Sequence, residues 1–299
     1  MRDNMDTQII TNPSDQELDM LARALRNGEL VSIPTETVYG LGANGLDPEA
    51  MDKIYAAKGR PSDNPLILHV PNSESIKPLV TEVSKTAQLL MDTFWPGPLT
   101  ITLPKSDLVP DRATGGLPRV ALRCPDHKVC RALLERVGVP IAAPSANISG
   151  RPSPTTAQDV YHDMKSRISY ILDAGPCTIG VESTVVEVHD DKVIILRPGG
   201  ITKAQLEKIV STVEYDTALV NATTKPKAPG MKYTHYAPDA PMTVVVGNPE
   251  VIASTFKNLS EGIEGPIGCL VSHETYNLIK GDTRFMCHCF GHHGDALSL

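Results

Sequence analysis

Lys58 and Arg60 flank a glycine in Lys58-Gly59-Arg60-Pro61, and Asn64-Pro65-Leu66 follows closely. Lysine offers a point charge and arginine a planar fork, so the pair suits a polyphosphate. The same residues also suit a plain helix end, where cations favour the dipole and glycine supplies the turn. Ser145-Ala146-Asn147 poses a similar choice. Small polar residues just past a strand occupy the usual ligand position of an α/β sheet, or they form an Asx or Ser turn. Arg119, Arg123 and Arg197 border apolar runs, and each alone reads as surface charge. His69, within Leu66-Ile67-Leu68-His69-Val70, reads alone as a core histidine.

Two other patterns carry less. Gly40-Leu41-Gly42-Ala43-Asn44-Gly45 matches G-x-G-x-x-G. A dinucleotide site wants these glycines directly between a strand and its helix, whereas Pro34-Thr35-Glu36-Thr37 intervenes here, so the expectation is a tight structural loop. Cys287-His288-Cys289 with His292 and His293 offers soft ligands, but the spacing fits no standard zinc finger, and no metal site is assigned. No G-x-x-x-x-G-K-[ST] phosphate loop is present, and sequence order alone supports no Ser-His-Asp or Cys-His nucleophile.

The elements that must hold these residues alternate. Ser14 and Glu17 form a capping box for a helix with Leu18, Leu21, Ala22 and Leu25 as its stripe, ended by Gly28. Asp47-Pro48-Glu49 starts a second helix running to about Lys58. Helices are also expected over 85–94, 126–137 and 155–164, with one more capped by Thr202 and Gln205. Strands are expected at 30–33, 66–70, 99–103, 120–123, 140–143 and 170–173. A hairpin turns at Asp190-Asp191 between 183–188 and 192–196. The pattern implies an α/β fold with a mixed sheet. Residues 221–241 are rich in Lys, Pro and Thr and read as a linker, whose bounds are set at 211–241. Residues 242–246, 249–259 and 267–271 then begin a βαβ unit. This second domain, 242–299, looks truncated, since Gly294-Asp295-Ala296-Leu297 resembles the first turn of a helix at the chain's end.

Of the 299 residues, 41% are hydrophobic, enough for a packed core, and 21% are charged, which excludes a disordered chain. The formal net charge of -7 argues against coating nucleic acid with the whole surface, though a local basic cleft remains open. No apolar run reaches the ~20 residues that span a bilayer. The polar, acidic start does not read as a signal peptide. Six cysteines are too few for a disulfide framework, so the expected compartment is the cytosol.

Several segments together resemble one family, the YrdC-like threonylcarbamoyl-AMP synthases. The matches are Pro34-Thr35-Glu36-Thr37-Val38-Tyr39-Gly40-Leu41-Gly42, the Lys58 to Leu66 block, Phe94-Trp95-Pro96-Gly97-Pro98-Leu99-Thr100, Pro144-Ser145-Ala146-Asn147-Ile148-Ser149-Gly150, Glu182-Ser183-Thr184-Val185 and Arg197-Pro198-Gly199, in the family's order. The stretch 229–238 is similar to the linker of the family's long form, which carries a Rossmann-like C-terminal domain.

The resemblance implies a YrdC-like mixed twisted sheet around a basic cleft over 1–210, a linker or lid over 211–241, and a small Rossmann-like domain over 242–299. It implies a reaction in which L-threonine, bicarbonate or carbon dioxide, and ATP give threonylcarbamoyl-AMP and pyrophosphate. Magnesium is expected with ATP. The expected partner is a tRNA-modifying transferase that receives the product, and direct contact with tRNA or other RNA stays open. By resemblance, Thr37, His69, Arg123, Ala143 (through its backbone) and Ser183 surround threonine. Lys58, Arg60, Asn64, Arg119, Ser145, Asn147, Ser153, Arg197 and Tyr236 surround ATP, with Lys58 and Arg60 as the catalytic pair. The rival class is a double-stranded RNA-binding or ribosome-maturation protein, which has no need for the substrate-sized group Thr37, His69 and Ser183.

Overall fold

The computed structural model describes residues 6–219 and 240–295. The chain divides into two compact units, 1–237 and 238–299. The first unit begins with β1 (Gln8–Thr11), α1 (Asp15–Arg26), β2 (Val31–Ile33), β3 (Gly40–Asn44), α2 (Pro48–Lys58) and β4 (Ile67–His69). Its middle holds α3 (Lys85–Phe94), β5 (Leu99–Pro104), the short α4 (Asp111–Thr114), β6 (Arg119–Arg123), α5 (Lys128–Val137) and β7 (Ile141–Ala142). It continues through α6 (Ala157–Met164), β8 (Tyr170–Asp173), β9 (Thr184–Val188), β10 (Lys192–Arg197), α7 (Lys203–Glu207) and β11 (Thr212–Tyr215).

Eleven strands form one mixed sheet in the order β1-β8-β2-β3-β7-β4-β6-β5-β9-β10-β11. Alternate residues of a strand point to opposite faces, and the core divides accordingly. Val31, Ile33, Ile141 and Leu172 pack with α1 and α5. Leu41, Ala43, Ala142 and Ile171 join the larger cluster, which includes Met51 and Ile54 of α2 and Leu90 of α3. The expected caps form: Ser14 with Glu17 at α1, Asp47 at α2, and Thr202 with Gln205 at α7.

Three expectations need correction. The glycine-rich stretch is a buried strand, not a loop. Its glycines serve close packing, since a Cβ on Gly42 would lie 2.9 Å from the Val31 carbonyl oxygen across the β2–β3 pair. Residues 212–215, expected in the linker, form β11, parallel to β10 at the sheet edge. Residues 242–246 form no strand. Their β-branched composition suits a strand, but a strand exists only when a partner supplies its ladder, and nothing among the described residues pairs with them.

The second unit contains α8 (Pro249–Leu259), β12 (Ile267–Val271), α9 (His273–Ile279) and β13 (Phe285–Cys289). β12 and β13 are parallel, joined through α9 in a βαβ arrangement, over a small core of Ala253, Cys269, Val271, Ile279 and Phe285.

Candidate active site

A cleft opens in the first unit, lined by Thr37, His69, Arg123, Ala143 and Ser183 together with Arg60, Ser145 and Arg197. Residues from six separate stretches of chain therefore reach one cleft. β4 and β6 run parallel with His69 paired to Arg123, so both side chains sit at the carboxyl ends of neighbouring strands, the usual ligand position of α/β sheets. Thr37 lies in the connection between antiparallel β2 and β3. Ala143 follows β7, and its N–H is committed to the Ile67 carbonyl. Ser183 immediately precedes β9 and Arg197 ends β10. The turn after Arg197 presses on Ser183: a Cβ on Gly199 would come within 2.5 Å of the Ser183 carbonyl carbon.

The residues expected around threonine are already wired together. Arg123 Nη1 donates to Thr37 Oγ1 at 2.8 Å, and Nε donates to the Gly97 carbonyl. Thr37 Oγ1 also pairs with Thr35 Oγ1 at 2.8 Å. Behind them, Glu36 Oε1 lies 2.6 Å from Arg123 Nη2, and both side chains are buried. The contact is an ion pair without an aligned hydrogen bond. Arg197 donates to the Ser183 carbonyl at 2.9 Å and to Ser183 Oγ at 3.1 Å, while Ser183 Oγ pairs with Thr100 Oγ1. Burial, and then the charge of Arg123, pulls the His69 pKa down to about 3, so its imidazole is neutral at physiological pH.

The remaining predicted residues lie around this core. Arg60 donates to the Pro65 carbonyl. Lys58 ends α2, is buried, and does not line the cleft; its ammonium donates to the carbonyls of Ser145 and Asn147. Burial, and then Arg60, pulls its pKa down to about 7. Ser145 Oγ donates to Asn147 Oδ1, and the Asn147 amide donates to the Ile148 and Arg151 carbonyls. Asn64 is buried behind Arg60, and its carbonyl accepts the Tyr55 hydroxyl. Ser153 donates to Glu182 at 2.8 Å. Arg119 lines a second, mostly apolar cavity that shares Pro65 and Leu66 with the first. Its guanidinium donates to the Thr102 and Val188 carbonyls. Burial lowers the pKa of Arg119 and of Arg197. Tyr236 lies outside the described residues.

Two acidic groups were not singled out from sequence. Glu182 lines the cleft 3.9 Å from Arg197, and Glu36 backs Arg123. Both sit in motif blocks beside residues that were chosen, and that adjacency was the only available signal.

The family model Sua5_yciO_yrdC, described as "Telomere recombination", matches residues 23–199, and one described as "Threonylcarbamoyl-AMP synthase, C-terminal domain" matches 201–295. The chain belongs to the Sua5/YrdC family. It is 47% identical over 270 residues to the threonylcarbamoyl-AMP synthase of Bacillus subtilis, covering 90% of this chain and 78% of that one. To the threonylcarbamoyl-AMP synthase of Pyrococcus abyssi it is 48% identical over 232 residues, covering 77% of this chain and 68% of the relative. The crystal structure of P. abyssi Sua5 complexed with L-threonine superposes with a TM-score of 0.81 at 44% identity, over 88% of this chain and 80% of that one. Escherichia coli YciO, at 23% identity and a TM-score of 0.60, shares the fold. Members of the Sua5/YrdC family with this degree of likeness are nucleotidyl-transferring enzymes, and so is this chain.

Proposed function

We propose that this cleft joins L-threonine, bicarbonate or carbon dioxide, and ATP into threonylcarbamoyl-AMP and releases pyrophosphate. The observation that carries the reading is the meeting of Thr37, His69, Arg123, Ala143 and Ser183 with Arg60, Ser145 and Arg197 on one cleft. The threonine carboxylate meets Arg123, and its hydroxyl meets Thr37 or His69. The threonine amine adds to carbon dioxide, and an oxygen of the resulting carbamate attacks the α-phosphorus of ATP as pyrophosphate leaves. No enzyme nucleophile is required; the work is positioning and charge stabilisation. Arg60 faces the polyphosphate, Lys58 reaches it by exchanging the Ser145 and Asn147 carbonyls for phosphate oxygens, and the adenosine end extends into the neighbouring cavity beside Arg119.

The described residues contain no cluster of three or more His, Cys, Asp or Glu able to cage a metal. We assign magnesium to the substrate: it arrives on ATP, held by phosphates and water with at most one or two protein carboxylates, as is usual for this ion. The product passes to a tRNA-modifying transferase. No described helix is long and apolar enough to cross a membrane, and the cytosol is the compartment proposed.

The test is pyrophosphate release by the purified chain. Release that requires ATP, threonine and bicarbonate together is expected. Release independent of threonine would overturn the assignment.

A further inference from the structure

Glu36 is placed where a fold gains nothing from a charge. Its neighbours Thr35 and Thr37 line the cleft, whereas its carboxylate lies behind them, 6% exposed, against an Arg123 side chain 4% exposed. Neither carboxylate oxygen nor Arg123 Nη2 has an aligned hydrogen bond among the described residues. A buried ion pair in that condition is no better for stability than apolar packing of the same volume. Its justification must come from what it orients.

The direction of the hydrogen bonds shows what that is. Arginine only donates, so Thr37 Oγ1 must accept from Arg123 Nη1. Thr35 donates its own hydroxyl proton to the Val38 carbonyl at 2.6 Å. The Thr35–Thr37 contact is therefore made by the proton of Thr37. The chain Arg123 to Thr37 to Thr35 to Val38 has one polarity, and it leaves a lone pair on Thr37 Oγ1 that can accept a hydroxyl proton from a ligand. Arg123 fills the other lone pair of Thr37 Oγ1 and so fixes where the free one points, and Glu36 is the charge that holds the Nη2 side of Arg123.

We propose that Glu36 is a positioning residue for the amino-acid pocket: by fixing Arg123 it aims the free lone pair of the Thr37 hydroxyl and so lets the pocket distinguish a β-hydroxy amino acid from its apolar isostere. This rests on the reading of the cleft as a threonine site. A site built to pair with a substrate hydroxyl rejects the analogue lacking it, because its own polar group is left unpaired. Without Glu36 the guanidinium can turn, the free lone pair of Thr37 is no longer aimed, and the distinction fades.

The experiment measures threonine, valine and ATP kinetics by pyrophosphate release for the parent, Glu36→Gln and Glu36→Asp. Glutamine keeps the size and removes the charge; aspartate keeps the charge on a shorter stem. In Glu36→Gln the threonine KM should rise about tenfold or more and the threonine-over-valine ratio should fall about tenfold, with the ATP KM within about twofold of the parent. Glu36→Asp should keep more of the discrimination than Glu36→Gln. If Glu36→Gln does not fold, judged by its thermal melt, Glu36→Asp alone must still raise the threonine KM while sparing ATP. Parental threonine kinetics in the folded variant, or equal losses for threonine and ATP, would overturn the proposal. A parent without threonine-dependent turnover would instead bring down the functional reading, and this inference with it.

Discussion

The two sides of the cleft are built differently. On the amino-acid side, Arg123, Thr37 and Ser183 are anchored to one another or to strand backbones through side-chain contacts of 2.8–3.1 Å. On the phosphate side, Lys58 is drawn away from the cleft onto the carbonyls of Ser145 and Asn147, within loops that follow α2 and β7. The first side is preorganised for its ligand. The second must exchange carbonyl oxygens for phosphate oxygens before its lysine can act. The difference follows from charge: a zwitterion needs a few fixed partners, whereas a polyphosphate arrives with enough charge to displace weaker ones.

The largest expected effect breaks the wired side. Arg123→Ala leaves the Glu36 carboxylate buried without its cation, which should cost about 3–5 kcal/mol of stability, read from urea denaturation. A loss below about 1 kcal/mol would show that the pair is not a buried ion pair in solution. On the other side, Arg60→Ala should cost roughly 2–4 kcal/mol in kcat/KM for ATP and leave threonine affinity unchanged. Unchanged turnover would remove Arg60 from the polyphosphate site.

Titration sharpens the contrast. The folded pKa of His69 is depressed to about 3, against about 6.5 when unfolded. Below that unfolded value the denatured chain takes up a proton that the native chain refuses. Stability should therefore fall by about 1.4 kcal/mol per pH unit as pH drops from about 6.5. His69→Gln should flatten this part of the pH profile of the urea midpoint; an unchanged slope would contradict the burial argument. Lys58 gives the smallest signal. With a folded pKa of about 7, it is about half charged at pH 7. ATP binding favours the charged form, so binding should take up as much as about half a proton at that pH. Calorimetry in two buffers of different ionisation enthalpy measures this uptake, and Lys58→Met should abolish it.

The legible parts of the fold were those with strong local signals. The stripe and capping box of α1 and the apolar alternation of the β9–β10 hairpin could be read directly. β3 was misread because glycines look like a loop until β2 and β7 are seen pressed against them. β11 lay hidden in a polar stretch, and 242–246 has strand composition without a partner. At the site, the motif blocks located Thr37 and Arg197, and the resemblance to the family located Arg123, which alone reads as a surface charge. Glu36 stayed hidden because its role passes through another side chain, and no residue type announces that. The expected lid over 211–241 falls, beyond β11 and the short turn at 217–219, almost entirely outside the described residues, as does the helical turn expected at 294–297 after Asp295.

The central claim is that one cleft joins three substrates, and product analysis tests it most directly. The chain is incubated with ATP, threonine and isotopically labelled bicarbonate, and the nucleotide products are separated and weighed by mass spectrometry. The account predicts one adduct containing AMP, threonine and the labelled carbon. An AMP–threonine adduct without the label, or ADP with phosphate as the products, would contradict it.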